Sequence, residues 1–170
     1  MSSNTNKLTT CLWFDLHTAE KAAEFYVSVF KGLNTGILHT AHYADLDAYR
    51  KLGHEPGSTM IVEFELKGHR FVGLNGGPIF KFNESVSFQI ECDDQDEVDY
   101  YWNALGTNGG GEDGVCGWLK DKFGVSWQVV PKRFKELIQE AEGQQVAQVC
   151  GEMMAMKKLD IAALEKAAHG

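Results

Sequence analysis

The histidines of this 170-residue chain, the side chains that most often bind metals or move protons, are dispersed along the sequence. Of six, only His39 and His42 lie within four residues of each other. Their neighbours predict a strand, where positions three apart point to opposite faces, so the two cannot chelate one ion together. His17 lies just before a predicted helix, His54 in a predicted loop and His69 in a predicted turn. We interpret all three as solvated surface residues.

The cysteines give no recognisable nucleophile or zinc site. No CxxC pair occurs among the four of them, Cys11, Cys92, Cys116 and Cys150. We interpret them as buried, reduced thiols. The sequence contains no GxSxG motif, and it places no cysteine beside both a histidine and a carboxylate.

Two glycine-rich segments have the composition of phosphate- or methyl-donor-binding loops but lack the flanking elements. Residues 109–114 follow a predicted helix rather than a strand, and residues 75–78 precede the stretch IFKFNE, which does not predict a helix. Such loops need a strand before them and a helix after them. The sequence therefore does not support binding of S-adenosylmethionine or methyl transfer.

Composition excludes several classes of partner. Sixteen basic and 24 acidic residues give a net charge of -8, which argues against a nucleic-acid or anionic-membrane surface. No apolar run approaches the roughly 20 residues of a membrane span, and residues 1–7 are too short and polar for a signal sequence. We expect a soluble, cytoplasmic protein with a core that needs no disulfides.

The elements that must position any site are clearest in residues 85–131. Val86, Phe88 and Ile90 alternate with polar residues, which predicts a strand. Asp94 and Glu97 resemble a capping box and open a helix whose apolar face carries Val98, Tyr101, Trp102 and Leu105. Two or three short strands follow, with a hairpin turn at residues 121–124, so this segment predicts a β-α-β-β-β unit.

An earlier copy of the same unit is predicted in residues 8–75. A strand at residues 8–14 precedes a helix that Thr18 is expected to cap, and strands at residues 37–43, 59–66 and 70–75 complete the unit. Phe25 and Tyr101, each inside an acidic-aromatic phrase, are 76 positions apart, since 101 − 25 = 76. We therefore expect two similar modules, residues 1–78 and 85–131, joined by a linker at residues 79–84.

Residues 132–170 predict a helical tail. Apolar stripes occur around Phe134 and Val149, and Asp160 is placed to cap a last helix. A methionine-rich stripe at helical spacing is typical of a core or dimer contact, and a homodimer is expected.

Several phrases in order identify a resemblance that covers nearly the whole chain. They are CLWFD at 11–15, FY at 25–26, LNGGP at 74–78, FKFNE at 80–84, SFQ at 87–89, CGWLKDKFGVSWQVVP at 116–131 and MKKLDIAALE at 156–165. The chain resembles the PhnB-like branch of the glyoxalase/bleomycin-resistance/dioxygenase (vicinal oxygen chelate) superfamily, whose members often carry a 3-demethylubiquinone methyltransferase label. This implies an α+β fold of two βαβββ modules forming a curved mixed sheet around a concave cavity, with a C-terminal helical tail.

The metalloenzymes of that superfamily hold a divalent ion through His, Glu or Gln side chains on corresponding strands of the two modules. The corresponding regions here offer Thr10, Cys11, Trp13, Gly73, Asn75, Ser85, Ser87, Gln89, Ser126 and Gln128. Hydroxyl and amide oxygens alone would hold a borderline divalent metal poorly. We therefore predict no catalytic metal and no cofactor, although a register slip of two residues would bring in Asp15 or Glu91.

Aromatic walls and neutral polar groups remain, which is the usual composition of a small-molecule pocket. The candidate ligand-binding residues are Cys11, Trp13, Asn75, Phe80, Lys81, Phe82, Ser87, Gln89, Trp118, Lys120 and Gln128, with Asp121 a further candidate for the charged rim. We expect a metal-free protein that binds an unidentified small molecule. The alternatives are a metal-dependent lyase, isomerase or dioxygenase with unusual ligands, and a structural dimer with a filled cavity.

Overall fold

The computed structural model of the chain describes residues 7–169. Residues 1–6 and residue 170 lie outside the described range. The prediction that residues 1–7 are not a signal sequence therefore falls almost entirely outside it. The chain divides into two compact units between Lys81 and Phe82. No helix in the described range is long and apolar enough to cross a membrane.

The first unit is a four-stranded mixed sheet with one long helix. Its elements are β1 (Thr10–Phe14), α1 (Ala19–Val29), β2 (Gly36–His42), α2 (Asp47–Lys51), β3 (Thr59–Leu66) and β4 (His69–Asn75). The strand order is β1-β4-β3-β2, with β1 and β4 parallel and the other pairs antiparallel. This is the predicted βαβββ unit with a short extra helix between the second and third elements of the sheet.

The core of the first unit lies between α1 and one face of its sheet. Val62, Phe64 and Leu66 alternate along β3 as buried residues, and Tyr26 of α1 stacks on Phe64 with ring centroids 6.0 Å apart. Phe64 in turn stacks on Phe71 of β4 at 5.1 Å. The buried face of β3 and the apolar stripe of α1 therefore pack against each other through one layer of aromatic side chains.

The second unit repeats this topology. Its sheet elements are β5 (Phe88–Cys92), α3 (Gln95–Leu105), β6 (Glu112–Asp113), β7 (Trp118–Lys120) and β8 (Ser126–Pro131). The order β5-β8-β7-β6 matches that of the first sheet, and β5 and β8 are again its parallel pair. The predicted α+β class and the two βαβββ modules are confirmed.

Helix α3 begins with the predicted capping box. The Asp94 carboxylate accepts from the Glu97 backbone N–H at 2.9 Å, and the Glu97 carboxylate accepts from the Asp93 N–H at 2.8 Å. The helix then buries its apolar stripe against the sheet, together with Ile90, Cys92, Trp127 and Val129. A local sequence pattern was sufficient here because both partners of each bond lie within four residues.

Three helices follow β8 in the second unit: α4 (Lys132–Glu140), α5 (Gln144–Ala155) and α6 (Ile161–His169). They enclose a separate small core of Leu137, Val149, Leu159, Leu164 and Ala168, against which Met153 and Met156 pack. Asp160 accepts from the Ala163 N–H at 2.9 Å, which confirms the predicted cap. The methionines thus contribute to a core, and the homodimer stays a prediction.

Two local expectations are corrected. Strand β5 begins at Phe88, and Val86 is 67% exposed, so the predicted strand starts three residues too early. His54 is buried rather than solvated, because its ring stacks on Tyr43 at 4.0 Å and at an interplanar angle of 17°. An aromatic stack between a loop and the end of a strand leaves no local pattern in the sequence.

Candidate functional site

The second sheet has one apolar and one polar face, and five of the predicted site residues lie on or beside the polar one. Alternation sends Ile90 and Val129 toward α3, and Gln89 and Gln128 to the opposite side. Gln128 pairs with Gln89 of β5 and with Trp118 of β7. We define the polar face as Gln89 and Glu91 of β5, Ser126 and Gln128 of β8, and Trp118 and Lys120 of β7; the buried Val130, which pairs with Glu91, lies on the same side.

Gln128 stands at the centre of this face. Its Nε2 donates to Ser87 Oγ, just before β5, at 2.9 Å. Gln89 is exposed beside it, and Trp118 is half-buried on its other side. Since neighbouring strands are about 4.8 Å apart, the three side chains form a row roughly 10 Å long. Such a row offers amide donors and acceptors next to a flat aromatic surface.

Charged groups lie at one end of the row. Lys120 Nζ forms an ion pair with the Glu84 carboxylate. The hydrogen bond from Lys120 lowers the pKa of Glu84, and the same bond, with the charge of Glu112, raises the pKa of Lys120. Glu112 is opposite Lys120 in the β6–β7 ladder. Lys120 thus lies between two carboxylates and remains protonated throughout the physiological range.

A pocket of about 150 Å³ opens at this charged end. Its lining residues are Glu84, Glu112, Asp113, Gly114, Trp118, Leu119, Lys120 and Ser126. Ser126 is opposite Lys120 in the β7–β8 ladder and is 2% exposed. Its Oγ has no hydrogen-bond partner among the described residues, which is an uncommon state for a buried hydroxyl. We call this the Ser126 pocket.

In the first unit, the predicted site residues lie on β1, at the end of β4 and in the segment that follows β4. Trp13 is half-buried on β1, donates its indole N–H to the Gly77 carbonyl at 2.8 Å and meets Phe80 edge-on at 4.9 Å. A Cβ at Gly76 would come within 2.2 Å of the Trp13 ring, so only glycine fits there. Cys11, Phe80 and Lys81 are exposed, and of the four cysteines only Cys92 is buried, so the prediction that all four are buried is wrong.

Asn75 has a structural position rather than one that faces a ligand. It is 1% exposed, and its Oδ1 accepts from the Thr18 and Ala19 N–H groups at 2.9 and 2.8 Å. Its Nδ2 donates to Glu20 at 2.7 Å and to the Thr59 carbonyl at 3.0 Å. Asn75 therefore caps α1 in place of the Thr18 hydroxyl, and the expectation that it orients a ligand is corrected.

Asp121 is likewise buried and not part of a charged rim. Its carboxylate accepts from the Phe123 N–H at 2.8 Å, the Val125 N–H at 3.1 Å and the Trp127 indole at 2.7 Å. These bonds shape the turn between β7 and β8. Phe82 is half-buried and lies near Gly124 of the same turn.

A divalent metal of the kind that the superfamily resemblance implies does not fit the donors present. Gly73 of β4, which the sequence offers as a site position, faces Ala19 of α1. The residues of β4 on the opposite face of the sheet are Val72 and Leu74, so the predicted register of this strand is wrong by one residue. Glu91 is on the polar face but forms an ion pair with Lys135. Across residues 7–169, no three His, Cys, Asp or Glu side chains form a metal-binding group.

The glycine-rich segment 109–114 is explained by close packing. A Cβ at Gly109 would lie 1.9 Å from the Ala104 carbonyl oxygen, and one at Gly111 would lie 2.2 Å from the Lys120 carbonyl oxygen. The segment thus runs too close to its own backbone for larger residues. It connects α3 to an edge strand, which is not the strand-to-helix context of a nucleotide or methyl-donor loop.

Sequence reasoning missed the three acidic members of the Ser126 pocket. The sequence places Glu84 in a linker, and it places Glu112 and Asp113 in a glycine-rich segment that in fact contains β6. The signal for Glu112 was weak because β6 has only two residues. Ser126 alternates with Gln128, so its face was predictable, but its missing partner was not.

Comparisons with known proteins agree with the fold. The family described as 3-demethylubiquinone-9 3-methyltransferase matches residues 6–130. A PhnB protein from Bacillus cereus is similar in structure with a TM-score of 0.61 and 27% identity, over 74% of this chain and 98% of that one. Protein PA1353 from Pseudomonas aeruginosa has a TM-score of 0.55 and 18% identity, over 73% and 96%. No curated protein matches.

Proposed function

The chain belongs to the 3-demethylubiquinone-9 3-methyltransferase family, in the PhnB-like branch of the glyoxalase superfamily, and from that premise we propose that it binds a small molecule without a metal. The binding surface is the polar face of the second sheet. The observation that carries this proposal is the row of Gln89, Gln128 and Trp118 ending in the Ser126 pocket.

The chemistry of this face suits recognition rather than bond breaking. Gln128 offers an amide whose Nε2 is already oriented by Ser87, and Trp118 offers a flat surface for an apolar or aromatic part of the ligand. Binding sites of this kind combine apolar walls with a few positioned polar groups. Preorganisation of Gln128 reduces the entropy lost when a ligand is bound.

The family description names a methyltransferase, but two features of the chain speak against transferring that activity. The glycine-rich segment 109–114 packs closely against neighbouring backbone, which accounts for its glycines without a bound ligand. The exposed strand-to-helix turn between β5 and α3 carries Asp93 and Asp94 rather than glycines, so it does not have the composition of a methyl-donor loop. The proposal is therefore limited to binding.

A thermal-shift screen of a small-molecule library tests the proposal. Each compound is measured with and without a chelator such as EDTA, on the wild type, Gln128→Ala and a matched control, Gln139→Ala, whose side chain is exposed on α4. We expect ligands whose stabilisation is unchanged by chelator and is lost only in Gln128→Ala, as mass action links binding to stability.

Two results would count against the proposal. Stabilisation that disappears with chelator would favour a metal-dependent lyase, isomerase or dioxygenase. A screen without any stabilising compound would leave the polar face without a binding role.

A further inference from the structure

We propose that the Ser126 pocket receives a positively charged amino group of the ligand. This inference rests on the proposed function and specifies the class of compound. It depends on three independent features: the charges around the pocket, the unpartnered Ser126 hydroxyl and the aromatic wall formed by Trp118.

The charges around the pocket favour a cation. Three of its four charged lining residues, Glu84, Glu112 and Asp113, are acidic, and only Lys120 is basic. Lys120 is already paired with Glu84. Glu112 makes no ion pair with any lysine or arginine of residues 7–169. An incoming anion would meet one lysine that already faces two carboxylates, whereas an ammonium group would meet an excess of negative charge.

The Ser126 hydroxyl supplies an acceptor at the floor of the pocket. A buried hydroxyl without a partner is costly, and it has two lone pairs available. Ser126 and Glu112 lie on either side of Lys120, on strands two apart, which is roughly 10 Å at the usual strand spacing. An ammonium group carries three donors, so it can donate to Ser126 Oγ while Glu112 attracts its charge without a direct hydrogen bond.

The aromatic wall and the size of the pocket agree with this chemistry. Trp118 is the ring type that attracts cations most strongly through its face. The volume of about 150 Å³ is below the roughly 300–1,000 Å³ of pockets that enclose a drug-sized ligand. The Ser126 pocket therefore holds one end group, while the rest of the ligand extends along the row toward Gln128 and Gln89.

Three probes of equal length and different charge test the inference: n-butylammonium chloride, sodium n-butyrate and 1-butanol. Each is titrated into the full-length, ¹⁵N-labelled protein at pH 7 and constant ionic strength, and binding is followed by the Trp118 indole N–H resonance. We expect n-butylammonium to bind at least about tenfold more tightly than either of the other probes.

Variants assign the preference to the pocket. Glu112→Gln removes one of the three acidic charges of the pocket and should weaken n-butylammonium binding about fivefold or more. Ser126→Ala should weaken it about threefold, and it should not unfold the protein, because the hydroxyl has no partner to lose. Glu24→Gln, an equal change of charge at an exposed site on α1, should leave binding unchanged.

The inference is overturned if n-butyrate binds more tightly, if all three probes bind equally, if no probe moves the Trp118 resonance, or if Glu112→Gln has no effect. Its failure differs from failure of the proposed function. If the library screen finds ligands that depend on Gln128 but keep their affinity in Glu112→Gln and Ser126→Ala, binding stands and the cation preference does not.

Discussion

At the scale of single residues, Asn75 shows how one side chain can join distant parts of a module. It lies at the end of β4 and caps α1, whose first residues are more than 50 positions earlier in the sequence. Its own carbonyl also accepts from the Tyr43 hydroxyl at 2.9 Å. The sequence predicted the caps of α3 and α6 because those partners are local, but no local pattern indicates a cap that arrives from another strand.

Replacement of this residue, Asn75→Ala, should destabilise the protein by about 2–4 kcal/mol. The change removes two helix-cap bonds and leaves the donors and acceptors around it buried without partners. The free energy of unfolding in urea measures the effect. The control Asn108→Ala, at an exposed position, should stay within about 0.5 kcal/mol. An equally small effect at Asn75 would contradict the capping role.

Glu20, a partner of Asn75, gives a prediction about pH. Desolvation acts to raise its pKa, but hydrogen bonds involving Thr59 and Asn75 outweigh it and lower the pKa below the ordinary 4.5. As the pH falls, the unfolded chain therefore takes up this proton first, so the stabilisation is present above pH 4.5 and is lost as the pH falls through the folded-state pKa.

The wild type should accordingly be more stable than Glu20→Gln at neutral pH, and the difference should narrow below pH 4.5. Urea unfolding of both proteins across the acid range measures this difference. A gap that stays constant or widens toward low pH would show that the folded state does not favour the carboxylate.

At the scale of elements, the hairpin of β7 and β8 brings Trp118, Lys120, Ser126 and Gln128 onto one face. Asp121 organises its turn through three hydrogen bonds, and one of them holds the core residue Trp127 on the opposite face. Because side chains alternate along a strand, fixing Trp127 toward the core also fixes Ser126 and Gln128 on the polar face. The turn is part of what positions the candidate site.

Asp121→Ala should cost about 2–4 kcal/mol, because it leaves the Trp127 indole and two backbone N–H groups without an acceptor. Urea unfolding followed by tryptophan fluorescence measures the loss. Asp96→Ala, an exposed acidic residue in the first turn of α3, should cost less than about 1 kcal/mol. If the two variants are equally stable, Asp121 does not hold the hairpin.

The sequence predicted helices and strands correctly where the pattern of apolar residues extended over several residues. Alternation along β3 and the stripes on α1 and α3 gave both βαβββ units, because each face has to be buried against a matching one. It failed for β6, whose two residues give no period, and for the start of β5. Glu112 and Asp113, two of the acidic residues of the Ser126 pocket, were missed because they form β6.

At the scale of the whole molecule, the chain is two copies of one topology followed by a helical segment with its own small core. The repeat was predictable because two acidic-aromatic phrases recur 76 positions apart, since 101 − 25 = 76. The two copies differ in sequence: at the same position of the ladder, β4 carries Val72 opposite Cys11, whereas β8 carries Gln128 opposite Gln89. A site on one sheet therefore need not have an equivalent on the other.

The measurement that tests the central claim most directly is a titration of the strongest compound from the library screen into ¹⁵N-labelled protein in the presence of EDTA. The four tryptophans provide internal references: Trp118 is on the polar face, whereas Trp102 and Trp127 are in the core of the same unit. We predict that the Trp118 indole resonance moves on binding while those of Trp102 and Trp127 do not. Binding that EDTA abolishes, or that leaves Trp118 unmoved, would contradict metal-free recognition on the polar face of the second sheet.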